Sequence, residues 1–295
     1  MMTTKISHGV EYVALLILTR LAQLLPGRLA DWMAFCFGKL SYLVLTSRRR
    51  IARSNLQRAF GDSKNPHEIE RIIKDVFINI ARTTIEFVRQ PVMKLEEIPA
   101  MFTVEGEESF RQALKKGNGA MLVSGHFGNW EILGGWLVAK GYPIDYLVGE
   151  QHNKKVDDLL ISFRKSFGVG IIPIGVASRH VIKSLRANRM VAVISDQHAA
   201  SGGAVVRFFG RPAATPKGPA AFAAKVGSPV IAGCSLRTGY RKHHLTIFPP
   251  IYSPNTGDHE KDIFEMTQKY TSYFEEFIRK YPSQWMWTHR RWKLD

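Results

Sequence analysis

A histidine where an apolar run ends, followed five residues later by a carboxylate, is a pairing that can move a proton. The segment Ala120 to Glu131 reads AMLVSGHFGNWE. Its apolar half predicts a strand ending at Ser124. Gly125, His126, Phe127 and Gly128 then read as a loop, and a helix is expected from about Asn129. On one continuous helix, positions five apart diverge by about 140°. His126 precedes the helix, so the loop can fold its ring back toward Glu131. A carboxylate on one imidazole nitrogen fixes the tautomer and leaves the other nitrogen as a base for a hydroxyl or thiol. The plain alternative is a strand-end histidine satisfied by hydrogen bonds, with Glu131 in solvent. Spacing alone does not separate the two.

Other chemistries find no footing. There is no Gly-x-Ser-x-Gly elbow, no Walker loop and no His-Glu-x-x-His helix. His243 and His244 are adjacent, which suits the two faces of a strand better than one metal. Two cysteines, Cys36 and Cys234, exclude a disulfide scaffold and a four-cysteine zinc site. No metal and no cofactor is expected.

Stepping out from the loop, short apolar runs alternate with helical patterns from about residue 103. Strands are expected at Ala120–Ser124, Ile144–Gly149, Ile171–Ile174, Met190–Ser195, Val205–Phe209, Pro229–Ser235 and Leu245–Phe248. Helices are expected at Glu108–Lys116, Asn129–Lys140, Lys154–Phe167, Ser178–Asn188, Lys217–Val226 and Asp262–Tyr281. This alternation predicts an α/β fold with a mainly parallel central sheet flanked by helices. Upstream, Asn65-Pro66-His67-Glu68 reads as a helix start with a capping box. Apolar residues at helical spacing run from Ile69 to Ile85, and Pro91 closes the segment. Arg71, Lys74, Arg82 and Arg89 read as its solvated face.

The 295 residues carry 41 Lys+Arg against 25 Asp+Glu, a formal charge of +16. Such a balance attracts a polyanion. Nucleic acid is not expected: no zinc-finger spacing, aromatic RNA-binding signature or zipper is present, and the charge is spread along the chain. An anionic membrane surface fits better. Apolar stretches at 10–25 and 29–46 are separated by Pro26-Gly27 and followed by Arg48, Arg49, Arg50, Arg53 and Arg58. A basic cluster after an apolar segment reads as a cytoplasmic flank. Glu11 and Arg20 fall on opposite helix faces, so the first stretch lacks a single polar stripe. With only Lys5 ahead of the apolar run, no cleaved signal peptide is expected. Residues 1–46 thus read as membrane-associated helices that span the bilayer or lie on it, and 47–295 as the catalytic domain. A soluble helical hairpin is the plainer alternative.

These residues also carry a resemblance. Ser124 to Glu131 resembles the His-x4-Asp/Glu motif of the lysophospholipid acyltransferase superfamily. More narrowly, it is similar to the late acyltransferases of bacterial lipid A biosynthesis. Ser195-Asp196-Gln197, the stretch Phe208 to Pro219 (FFGRPAATPKGP) and Met286 to Lys293 (MWTHRRWK) resemble further motifs of that family, in the same order. The resemblance implies transfer of a fatty acyl chain from acyl carrier protein to a hydroxyl of a membrane glycolipid, a lipid A precursor above all. It implies a bacterial inner membrane location with the site facing the cytosol. It makes His126 the base and Glu131 its orienting acid. Arg164 is the matching arginine, for a phosphate or the oxyanion, with Arg179 a second candidate. Without the resemblance, Arg164 reads as a surface residue of an amphipathic helix. Asp196 matches a structural or substrate-orienting position, and Arg290-Arg291 supports the fold or the leaflet contact. Backbone donors near the helix start are further candidates for the oxyanion. Three rivals stand beside this: a phosphatidylinositol mannoside or other lipid as acceptor, a hydrolase in which His126 activates water, and a non-catalytic basic lipid-binding protein.

Overall fold

The computed structural model of the chain describes residues 2–294. Its centre is a seven-stranded sheet in the order β1-β9-β8-β2-β5-β3-β4. The strands are β1 (Phe102–Glu105), β2 (Ala120–Ser124), β3 (Ile144–Val148), β4 (Gly170–Pro173), β5 (Met190–Ile194), β8 (Val230–Gly239) and β9 (Lys242–Ile247). All neighbours run parallel except β8 and β9. The α/β, mainly parallel reading holds. β2 is buried at every position, as expected of a parallel strand covered on both faces.

Alternation along the strands divides the core. Met121 and Val123 face one layer, with Val191, Ala232 and Cys234. Ala120 and Leu122 face the other, with Met190 and Ile231. The first layer is closed by α3 (Thr46–Phe60), α4 (Pro66–Val88), α8 (Ala177–Arg186), α9 (Gly218–Val226) and α10 (His259–Lys280). The second is closed by α5 (Glu108–Lys115) and α6 (Leu133–Ala139).

Several elements depart from expectation. β1 was not anticipated: it has four residues and alternates half-buried with exposed, so its apolar signal is weak. Val205–Phe209 was expected in the main sheet. It forms instead β6 (Ala204–Phe208), paired antiparallel with β7 (Arg211–Thr215) as a separate hairpin. β7 carries Pro212, which disguises a strand. The helix expected from Asn129 begins only at Leu133. Asn129 Oδ1 accepts from the Glu131 and Ile132 N–H groups at 3.2 and 3.1 Å, and the chain turns before it coils.

At the N-terminus, α1 (Met2–Leu24) and α2 (Gly27–Val44) are divided at Pro26. They pack on α4 and α7 (Lys154–Lys165) through Ala22, Ala30, Ala34, Ile85, Val88 and Phe163. The capping box at Asn65 and Glu68 is formed. Arg82 and Arg89 are not part of a solvated face. Arg82 pairs with Asp31 at 2.9 Å, and Arg89 donates to the Ala22 and Leu25 carbonyls where α1 ends. A helix leaves its last carbonyls without partners, and Arg89 supplies them. Val10, Ile17, Trp32, Leu40, Leu43 and Val44 stay exposed on α1 and α2. Among the described residues, no helix is long and apolar enough to cross a membrane.

Candidate active site

β2 releases the chain at Ser124, beside β5 in register. The Ser195 N–H donates to the Ser124 carbonyl at 2.8 Å, extending the pairing one step. This carries Asp196, just past β5, to the mouth of the loop after β2. A Cβ on Gly125 would lie 2.4 Å from the Phe127 ring and 3.0 Å from Asp196 Cβ, so only glycine admits the aspartate so near.

Asp196 is the carboxylate on the histidine. Its Oδ1 lies 2.9 Å from His126 Nδ1, and its Oδ2 accepts the His126 backbone N–H at 2.8 Å. Trp285 Nε1 donates to the same Oδ2 at 2.7 Å. The expectation that Glu131 would hold the ring is corrected here. The late helix start turns Glu131 toward α7, where Arg164 grips it as a fork: Nη2 to Oε1 at 2.7 Å and Nε to Oε2 at 3.0 Å. The guanidinium also lies 5.1 Å above the Phe87 ring. Glu131 and Arg164 are therefore brought together, at 11% and 18% exposure. The loop N–H groups of Glu131 and Ile132 are taken up by Asn129, which removes them as oxyanion donors. Arg179 lies exposed on α8, and Arg291 supports the fold, buried with Nη1 on the Ala214 carbonyl at 2.7 Å.

The electrostatics follow the geometry. Burial opposes charge on the His126 ring, but Asp196, by charge and hydrogen bond, and Glu131, by charge, outweigh it and raise its pKa. Burial pushes Asp196 up, yet His126 and Trp285 bring its carboxyl below the usual range. An ionised Asp196 accepts only, so Nδ1 carries the hydrogen and Nε2 the lone pair. Trp130 meets the ring edge-on at 4.9 Å between centroids. Beside Trp130 and Glu131 lies a cavity of about 60 Å³, walled by Leu122, Leu133, Leu147 and Ile194 among others. It sits at the carboxyl ends of the strands, where open parallel sheets bind ligands. Its volume is well under the roughly 300–1,000 Å³ of small-molecule sites, so a long ligand must widen it.

Sequence reasoning missed Trp285 as the third donor to Asp196 and Asn129 as the residue that delays the helix. It placed Asp196 at a strand end but not on the imidazole. The signal was faint: a carboxylate directly after a buried strand.

A mainly parallel sheet thus presents a carboxylate-held imidazole on a His-x4-Glu loop, and the neighbouring Trp130 and Glu131 line an apolar cavity. The particular family is shown by sequence. The chain belongs to the bacterial lipid A biosynthesis acyltransferase family, whose model matches residues 2–294. It is similar to the phosphatidylinositol mannoside acyltransferase of Mycobacterium tuberculosis, 25% identical over 71% of this chain and 66% of that one. The protein of the same name from Mycolicibacterium smegmatis is 25% identical over 82% of this chain and 79% of that one. The lipid A biosynthesis palmitoleoyltransferase of Escherichia coli is 22% identical over 91% and 86%. This chain thus spans just under two thirds of the Mycobacterium tuberculosis relative. Among solved structures, the 1-acyl-sn-glycerophosphate acyltransferase PlsC of Thermotoga maritima is similar over 85% of this chain and 98% of that one. The identity there is 12% and the TM-score 0.37.

Proposed function

We propose that the chain transfers a fatty acyl group from acyl carrier protein to a hydroxyl of a membrane glycolipid. The observation that carries this is the 2.9 Å contact between His126 Nδ1 and Asp196. It leaves Nε2 a base, and Trp130, edge-on to the ring, lines the apolar cavity. Nε2 takes the hydroxyl proton as that oxygen bonds to the thioester carbonyl carbon. The tetrahedral adduct collapses, the carbon–sulfur bond breaks, and the imidazolium returns its proton to the leaving thiolate. Ester and free thiol result. Asp196 stabilises the imidazolium by contact and Glu131 by charge. A positioned base of this kind contributes roughly 10²–10⁴-fold. Arg164, its Nε and Nη2 committed to Glu131, acts by holding that carboxylate.

For the acceptor, a phosphatidylinositol mannoside is favoured over a lipid A precursor. The support is similarity: relatives of that name align at 25% identity, the lipid A enzyme at 22%. The family's own description keeps lipid A as the second reading. The acidic carrier suits a chain of charge +16. Residues 1–46 serve as the anchor and 47–295 as the catalytic domain. The exposed apolar residues of α1 and α2 lie on the inner leaflet of a bacterial cytoplasmic membrane, and the basic α3 faces its anionic headgroups.

The test offers the purified full chain lauroyl–acyl carrier protein with each acceptor separately in mixed micelles, followed by mass spectrometry. The expected product is the mannoside heavier by one acyl group, absent with His126→Ala. Acylation of only the lipid A precursor would reverse the acceptor, and full turnover by His126→Ala would end the reading.

A further inference from the structure

Asp196 holds the motif loop at His126, and the backbone of Gln284 and Met286 meets it at Gly128 and His126. The Gly128–Asn129 end rests on a buried polar cluster that the proposed chemistry leaves unused. α4 presents Asn79, Thr83 and Glu86 on one face, as helical spacing dictates. Asn79 Nδ2 and Thr83 Oγ1 donate to the Gly128 carbonyl at 3.2 and 2.7 Å. Glu86 accepts from Asn129 Nδ2 at 2.5 Å. From the sheet, Arg237 of β8 forks onto Glu86, with Nη2 at 2.7 Å from Oε2. Its Nε donates to Asn79 Oδ1 at 3.0 Å and its Nη2 to Thr83 Oγ1 at 3.1 Å. The side chains of Arg237 and Glu86 are 6% and 14% exposed.

Each of these contacts pairs a donor with an acceptor. Thr83 receives from Arg237 and gives to Gly128, and Asn79 does the same with its two amide atoms. A buried ion pair is poor evidence of stability, since apolar side chains of similar volume often serve as well or better. A satisfied buried network does enforce one geometry. The geometry passed on is that of Asn129. Its Nδ2 is held by Glu86, and its Oδ1 holds the backbone of Glu131 and Ile132.

We propose that Glu86, Arg237 and Asn129 are positioning residues, which set Trp130 and Glu131 relative to His126. This rests on the reading of the loop as catalytic. A misplacement of about 1 Å far from the chemistry can cost about 10²-fold in rate, so the effect belongs in kcat.

The test uses full-length Asn129→Ser and Arg237→Lys. Serine still offers an oxygen to the Glu131 and Ile132 N–H groups but cannot span to Glu86. Lysine keeps the charge and loses the fork. Steady-state kinetics with lauroyl–acyl carrier protein and the acceptor lipid in micelles are read beside the melting temperature, with His126→Ala as control. Expected is a kcat lower by about 10–100-fold, with KM for the thioester within about threefold and little change in melting. The Asn129→Ser, Glu86→Gln double variant should fall no further than its worse single, as one unit does. Two results overturn the proposal: kcat within twofold of wild type in both single variants, or activity lost only in step with unfolding. Turnover by His126→Ala would instead sink the proposed function itself, so the two failures are told apart.

Discussion

Asp196 holds His126 with both oxygens, one on the ring at 2.9 Å and one on the backbone N–H at 2.8 Å. Because Oδ2 also receives Trp285 Nε1, an Asp196→Asn amide must put its oxygen there and its NH2 against Nδ1. The ring would then carry its hydrogen on Nε2 and lose its base. The expected result is a fall in kcat of about 10⁴-fold, the scale seen when a base is held in the wrong tautomer, with the fold intact by circular dichroism.

The raised pKa of His126 fixes a pH dependence. A base works when neutral, so kcat/KM should rise with pH through a midpoint above the ordinary histidine value of about 6.5. Removing a nearby negative charge lowers that midpoint. A profile of Glu131→Gln should therefore be displaced to lower pH. An unmoved midpoint would mean that the Glu131 charge does not reach the ring.

Glu131 and Arg164 form one bidentate unit at low exposure. Removing one partner leaves a half-buried charge unmatched. Arg164→Ala should cost as much activity as Glu131→Gln, and the double variant no more than either. A double-mutant cycle in kcat/KM checks this, additivity being the adverse outcome.

Gly128 has φ of +50°, and a Cβ there would lie 2.4 Å from the Ser235 carbonyl oxygen. The obstacle is β8 backbone, which does not yield easily. Gly128→Ala should destabilise the fold by about 1–3 kcal/mol and reduce turnover, measured by thermal melting and product formation.

His243 is buried against Phe102, and burial, with Arg237 adding to it and Glu86 opposing, lowers its pKa to about 4. The unfolded chain binds this proton near pH 6.5 and the folded chain only near 4. Between those values the unfolded state holds more protons, so stability falls as pH falls through the window. The loss is about 3 kcal/mol by pH 4. Urea melts at pH 7 and pH 4.5 should show most of this loss, and His243→Gln should shrink it.

How legible this was in the sequence depends on what each residue needs to be understood. β2, β5 and β8 were legible because strands covered on both faces of a sheet read as apolar runs. β1 and β7 were not, one being short and half-exposed and the other carrying Pro212. His126, Glu131, Arg164 and Asp196 were all placed near the ends of elements. Their partners were not, because pairing depends on strand order: nothing in the chain states that β5 lies beside β2. The turn at Asn129 mattered most. Read as the first residue of a helix, it aimed Glu131 at His126; as an Asx-type cap, it sends Glu131 to Arg164.

The segment around Trp285 has a temporal consequence. Gln284 receives the Gly128 N–H, Trp285 binds Asp196, and the Met286 N–H meets the His126 carbonyl. During synthesis the ribosome delivers β2 and β5, with His126 and Asp196 just after them, before this segment emerges. A nascent chain that has not yet reached Trp285 therefore holds both residues yet lacks the clasp that orients them.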